Sequence, residues 1–183
     1  MSMLGDGNVT IRVAWSSINY KDGLATLSKG GIVRDYPRVP GIDLSGIVTD
    51  SSDARFKEGE SVLVTGFGTG VSHDGGYAEY ARVPGDWVIR CPENLSPREA
   101  MIFGTAGFTA ALAIQRLEHQ GIKPESGPIL VTGASGGVGS MAISMLSKLG
   151  YEVHASTGKT AEHSYLKQLG ASTILSRDDV STQ

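Results

Sequence analysis

The residues of this chain best suited to chemistry stand in one glycine-rich segment, Gly133-Ala134-Ser135-Gly136-Gly137-Val138-Gly139, between an apolar run and a helical stretch. Such a turn offers exposed backbone amides and the positive end of a helix to an anion, with no Cβ to hold a pyrophosphate away. Ser135, Gly136, Gly137, Val138 and Gly139 are therefore the candidate pyrophosphate contacts. About 20 residues past such a motif, an acidic side chain would bind the ribose 2′-hydroxyl of NAD. None stands there. Ser156-Thr157-Gly158-Lys159 instead supplies hydroxyls, an unobstructed amide and a cation, a set that suits a 2′-phosphate. Arg177, just past the next apolar segment, lies on the same edge and would close over the adenosine end. The expected cofactor is NADP(H) rather than NAD. Taken singly, Lys159 would be a solvated turn lysine and Arg177 an exposed charge.

Such a loop works only in a strand-loop-helix frame, and the flanking residues supply one. Pro128 to Thr132 is a short apolar run fit for a buried parallel strand. Ser140 to Leu149 reads as a helix, Tyr151 to Ser156 as a second strand and Thr173 to Ser176 as a third. Strand and helix thus alternate from 128 to 176, half of a dinucleotide-binding fold. Upstream, Ser96-Pro97-Arg98-Glu99 is a capping box with proline at the first helical position. A further helix fits Phe108 to Gln120, with Leu112, Ala113 and Leu117 on one stripe and Gly121 as its stop. Residues 9 to 90 carry strand signals instead. Val9, Ile11, Val13 and Trp15 alternate with Thr10, Arg12, Ala14 and Ser16, the period of a strand with one buried face. Shorter strands fit Ile42 to Val48, Ser61 to Thr65, Tyr77 to Val83 and Trp87 to Arg90, and the glycine-dense stretch 66–76 reads as a surface loop. The expectation is an α/β chain: a β-rich barrel or sandwich over 1–95, then half of a Rossmann domain, a doubly wound parallel sheet, over 96–183.

Composition removes several alternatives. With 183 residues, 40% of them hydrophobic and 19% charged, the chain suits one globular domain, or a small one plus part of another. A formal net charge of −3 leaves no basic excess for a phosphate backbone, so nucleic acid is not an expected partner. No continuous apolar run reaches the roughly 18 residues of a membrane span, and Met1 to Asn8 lack a secretory pattern. The expected location is cytoplasmic, with no membrane partner. The one cysteine, Cys91, permits no internal disulfide and reads as a small apolar side chain. The four histidines, His73, His119, His154 and His163, are scattered without metal-ligand spacing, and no metal is expected. Gly158-Lys159-Thr160 looks like the end of a P-loop, but Val153 stands where that loop needs glycine. Thr132 to Gly139 also fits the TGxxxGxG pattern of short-chain dehydrogenases, yet no tyrosine here has lysine four residues later.

A β-rich first half followed by a nucleotide loop at 132–139 resembles the medium-chain dehydrogenase/reductase superfamily, whose GroES-like domain comes first. More narrowly, four segments resemble the bacterial YhdH/YhfP group of quinone-oxidoreductase-like proteins. They are Trp15-Ser16-Ser17-Ile18-Asn19-Tyr20-Lys21-Asp22, Pro40-Gly41-Ile42-Asp43, Val83-Pro84-Gly85-Asp86-Trp87 and Gly104-Thr105-Ala106-Gly107-Phe108-Thr109-Ala110. Acrylyl-CoA reductase is the characterised activity of that group, and the likeness covers essentially the whole chain. Where zinc alcohol dehydrogenases carry Cys-His this sequence has Asn19-Tyr20, and where they carry Gly-His-Glu it has Gly41-Ile42-Asp43.

The resemblance implies metal-free hydride transfer from NADPH to the β-carbon of an enoyl thioester such as acryloyl-CoA, or to a quinone. It implies that Tyr20 lines the cofactor, its phenol steadying the nicotinamide or donating to a developing oxyanion. Asn19 would hold an amide or the substrate carbonyl. Asp43 stays open between a structural acceptor and a proton shuttle. Three parallel strands are half of the usual sheet of about six, so the chain reads as truncated at both ends relative to the family, with a homodimer expected of the full-length form. Two function classes follow: an NADPH-dependent reductase of activated alkenes or quinones, and a catalytically silent NADPH-binding protein or inactive fragment.

Overall fold

The computed structural model describes residues 4–27 and 29–181, in two compact units, Met1–Thr105 and Ala106–Gln183. In the first unit, β1 (Val9–Ser16), β2 (Asp43–Ser51), β3 (Ser61–Thr65), β4 (Tyr80–Val83) and β5 (Ile89–Arg90) form one antiparallel sheet in the order β4-β1-β2-β3-β5. The core is built from Val9, Ile11, Leu44, Val48, Phe56, Val62, Val64, Ala81, Val83 and Val88. A short helix, α1 (Tyr20–Ala25), follows β1. The expected alternation along β1 fails at its far end, where Trp15 is 48% exposed. Two register shifts against β2, at Thr10/Ile11 and Val13/Trp15, account for this, because each bulge re-aims the side chains that follow it. β4 begins at Tyr80 rather than Tyr77, since the Tyr77 amide leaves the ladder and donates to Pro40 O at 3.0 Å. Trp87 belongs to a 3₁₀ turn, Gly85–Trp87, rather than to a strand.

α2 (Pro97–His119) joins into one run the two helices expected separately, broken by Gly104 at φ 48°, ψ −155°. The compact units divide inside this run, at Thr105/Ala106, rather than near residue 95. Residue 95 marks only where the helix starts; the first turns of α2 bury Ala100 and Met101 and belong with the sheet unit. In the second half of α2 the buried positions are Gly107, Ala110 and Ile114, while Leu112 is 49% exposed, so the inward stripe lies off the expected one. By length and composition α2 is long enough and apolar enough to cross a membrane, which a search for unbroken apolar runs does not register. Its buried positions Ala100, Met101, Gly104, Gly107, Ala110 and Ile114 recur at helical spacing.

The expected capping box is present: Ser96 N donates to Glu99 Oε2 at 2.9 Å, and Glu99 N to Ser96 Oγ at 3.3 Å. The Ser96 side-chain and backbone hydrogen bonds hold the Glu99 carboxyl below its ordinary value. A carboxyl depressed by folding stabilises above its unfolded pKa, and that contribution is lost as pH falls through the folded pKa. Glu99→Gln is therefore expected to be less stable than the parent at neutral pH, and the two urea midpoints should converge in acid. Curves offset equally at every pH would exclude this role.

In the second unit, β6 (Ile129–Val131), β7 (Val153–Ser156) and β8 (Thr173–Leu175) form a parallel sheet in that order, in register Ile129↔Val153 and His154↔Thr173. They alternate with α3 (Gly137–Lys148) and α4 (His163–Gln168); α5 (Arg177–Ser181) follows β8. Val131, Ala134, Ile143, Leu146, Val153, Ala155 and Leu166 make the core. β7 begins two residues later than expected because Tyr151 N caps α3, donating to Leu146 O at 3.0 Å. The alternation thus yields the expected parallel strand-helix unit of Rossmann type after an antiparallel sheet.

Candidate functional site

The nucleotide loop is built by three glycines with different tasks. At Gly139 a Cβ would lie 2.5 Å from Gly133 O and 2.8 Å from Ala134 Cα, so α3 packs against the loop only without one. Gly133 turns the chain at φ 59°. Gly136 has an ordinary extended backbone, φ −82°, ψ 169°, and a Cβ there would meet only Gly133 O, at 3.2 Å. Its bareness thus leaves room in front of the helix. The Gly136 amide is spent on Gly133 O at 2.9 Å, so this residue contributes space rather than a donor. α3 opens at Gly137, three residues before the expected Ser140, because the motif itself forms the first turn. Ser140 N donates to Gly136 O at 2.9 Å, which places the amides of Gly137, Val138 and Gly139 in the turn that has no earlier carbonyl to reach. An anion in front of Gly136 would face these amides and the positive helix end.

The loop is tied to the end of β7 by Ala134 N donating to Ser156 O at 3.2 Å. Here the structure departs from one expectation. Ser156 and Thr157 are buried rather than presented at the edge. The Thr157 hydroxyl accepts from Lys159 N at 3.1 Å and lies 3.3 Å from Ser135 Oγ, so it shapes the turn. Gly158, Lys159 and Arg177 are exposed. A Cβ at Gly158 would come within 3.3 Å of Arg177 Nε, which places the Arg177 side chain across the bare backbone of Gly158. The edge is thus cationic, with the hydroxyls behind it.

In the first unit, Asn19 and Tyr20 sit where β1 ends and α1 begins. Asn19 N donates to Asp22 Oδ2 at 2.8 Å, and the other Asp22 oxygen accepts from Gly41 N and Ile42 N at 3.1 and 2.9 Å. Asp22 thus binds the helix start to the turn before β2. Asp43, with no exposed surface, is the second anchor. Its Oδ2 accepts from Ser17 Oγ, from Asn19 Nδ2 at 2.8 Å and from Thr105 N at 2.9 Å, while Oδ1 accepts from Thr105 Oγ1 at 2.5 Å. This carboxyl accepts from three residues and orients Asn19. Tyr20 is 84% exposed and Ile18 90%, so these side chains project outward from the anchored turn. Ser17, Asp22 and Thr105 were not singled out from sequence. The left-handed break at Gly104, which delivers the Thr105 amide to Asp43, has no sequence signal beyond a glycine inside an apolar helix.

Among the described residues, no three His, Cys, Asp or Glu side chains gather to hold a metal ion. Comparison with known proteins gives consistent matches. Residues 5–93 match the alcohol dehydrogenase GroES-like domain. The acrylyl-CoA reductase AcuI of Ruegeria pomeroyi is 52% identical over 95% of this chain and 53% of its own length. The yhdH oxidoreductase of Salmonella enterica, solved in complex with NADP, superposes with a TM-score of 0.95 at 56% identity, over 97% of this chain and 55% of that one. Bacillus subtilis yhfP, solved with NAD bound, gives 0.96 at 57% identity, over 98% of this chain and 55% of that one. The chain spans about half the length of the curated relatives it matches.

Proposed function

We propose that the chain belongs to the medium-chain dehydrogenase/reductase superfamily, grouping there with the YhdH, YhfP and AcuI proteins to which it is similar, and that it serves an NADPH-dependent reductase of activated alkenes. The acceptor is an acryloyl-CoA-type thioester or a quinone. The observation that carries this reading is the cradle before α3: bare at Gly136, backed by the amides of Gly137, Val138 and Gly139, and flanked by a cationic edge. In it the amides meet the pyrophosphate, and Lys159 and Arg177 meet the 2′-phosphate, which favours NADP(H) over NAD. Ser135 and Thr157 hold the loop and turn in shape, and Ser156 braces them through its carbonyl.

When bound, NADPH supplies the hydride. The protein's share is orientation and charge. Asn19, its amide held by Asp43, aligns a carboxamide or the acceptor carbonyl. The exposed phenol of Tyr20 donates a hydrogen bond to the oxyanion that develops as hydride reaches the β-carbon. A cytoplasmic location and a homodimer of the full-length form belong to the same reading.

The test is NADPH oxidation, followed by absorbance, with acryloyl-CoA and with a small quinone, in a polypeptide extended to the length of the relatives. Turnover with one of them is expected. Lys159→Glu is expected to weaken NADPH binding by about 30-fold, from loss of a charge-assisted hydrogen bond, and to leave NADH within about twofold. A polypeptide that binds NADPH and oxidises it with neither acceptor would be the catalytically silent alternative. Equal weakening of both coenzymes would remove Lys159 from the 2′-phosphate.

A further inference from the structure

Resting on the reductase reading above, we infer that Tyr77 is a positioning residue for the Asn19–Tyr20 turn. Its hydroxyl donates to Ser17 O at 2.9 Å, a bond between residues 60 apart in sequence. Ser17 is thereby held at both ends: its hydroxyl donates to Asp43 and its carbonyl accepts from Tyr77. Asn19 follows two residues later and reaches the same Ser17 hydroxyl with Nδ2, at 3.0 Å. The Asp43 anchor controls the side chains of this turn. Tyr77 holds its backbone at Ser17, as Asp22 holds it at Asn19.

A strut needs a fixed base, and Tyr77 has one. Its amide donates to Pro40 O at 3.0 Å, and the preceding Gly76 amide to Gly41 O at 2.8 Å. Gly76 O in turn accepts from Ser16 Oγ at 2.7 Å. A Cβ at Gly41 would lie 2.7 Å from Tyr77 Cδ1, so the ring is seated against bare backbone at the turn that Asp22 also holds. Tyr77 is 40% exposed, and its ring would be matched in shape by phenylalanine, so the hydroxyl is not needed to fill the core. Burial, with the Asp22 and Asp43 carboxyls adding to it, pushes the phenol up to about 12. The donor therefore keeps its proton across any ordinary working pH.

The test is Tyr77→Phe in the same polypeptide used for NADPH oxidation, read in two ways. Amide hydrogen exchange at Asn19 and Asp22, whose N–H groups are held by Asp22 Oδ2 and Asn19 O, should accelerate about tenfold, the scale of one lost hydrogen bond, while Val9 and Ile11 in β1 exchange as before. The kcat should fall about tenfold with KM for NADPH within about twofold, since orientation is lost and cofactor binding is not. Unchanged exchange at these two amides overturns the inference. So does equal acceleration in β1, which would be general loosening, and so does an unchanged kcat beside a loosened turn. If the parent polypeptide oxidises no NADPH with either acceptor, the reductase reading fails by itself, and the exchange measurement still decides whether Tyr77 holds the turn.

Discussion

Replacing Asp43 by alanine is expected to cost about 3–5 kcal/mol of folding stability. The reason is arithmetic of donors. Ser17 Oγ, Asn19 Nδ2, Thr105 N and Thr105 Oγ1 all end on this one buried carboxyl. Without it they stand in a small void that their own backbone keeps from closing. Native domains hold only about 5–15 kcal/mol in total, so the variant should be partly unfolded at moderate temperature. Asp43→Asn should lose less, about 2 kcal/mol, because one oxygen remains to accept while the new amide hydrogens face existing donors. Urea unfolding followed by circular dichroism measures both. A loss below about 1 kcal/mol for Asp43→Ala would show that the network relaxes onto water.

The second large effect separates binding from folding. Gly136→Val should lower NADPH affinity by about 100-fold, which is ~2.7 kcal/mol, and leave the fold standing. Its backbone suits a β-branched residue, and a Cβ meets only Gly133 O, at 3.2 Å. The added side chain then occupies the space through which an anion reaches the amides of α3. Gly139→Ala provides the contrast. Its Cβ would stand 2.5 Å from Gly133 O and 2.8 Å from Ala134 Cα, so it should destabilise the second unit outright. Cofactor titration beside thermal unfolding distinguishes the two. If Gly136→Val binds NADPH like the parent, the cradle lies elsewhere.

These two experiments also mark how far the residues could be read in advance. The nucleotide loop was legible because its need is local: a turn, a bare approach and a helix start all fall within Gly133 to Gly139, between a strand and a helix of short range. The cationic pair needed one step more, and the sequence placed Lys159 and Arg177 on one edge because parallel strands β7 and β8 end together. It did not show that Ser156 and Thr157 are buried behind that edge. Strand alternation does not say where a chain turns inward, and hydrogen bonds from Ala134 and Lys159 decided it.

The first unit was less legible for the same physical reason. Period-two patterning located β1 and β3, but past the shift at Val13/Trp15 the Trp15 side chain leaves the core face, and a bulge is a property of the pair rather than of one strand. The sequence alone determined the class of fold, the pyrophosphate loop and the family likeness, all of which rest on neighbours in the chain. Only the tertiary structure decided that Asp43 is an anchor, that Tyr77 reaches Ser17 and that Gly104 breaks α2 to bring Thr105 to Asp43. Each of these joins residues from 26 to 62 positions apart, and no periodicity records which distant donor a buried oxygen will meet.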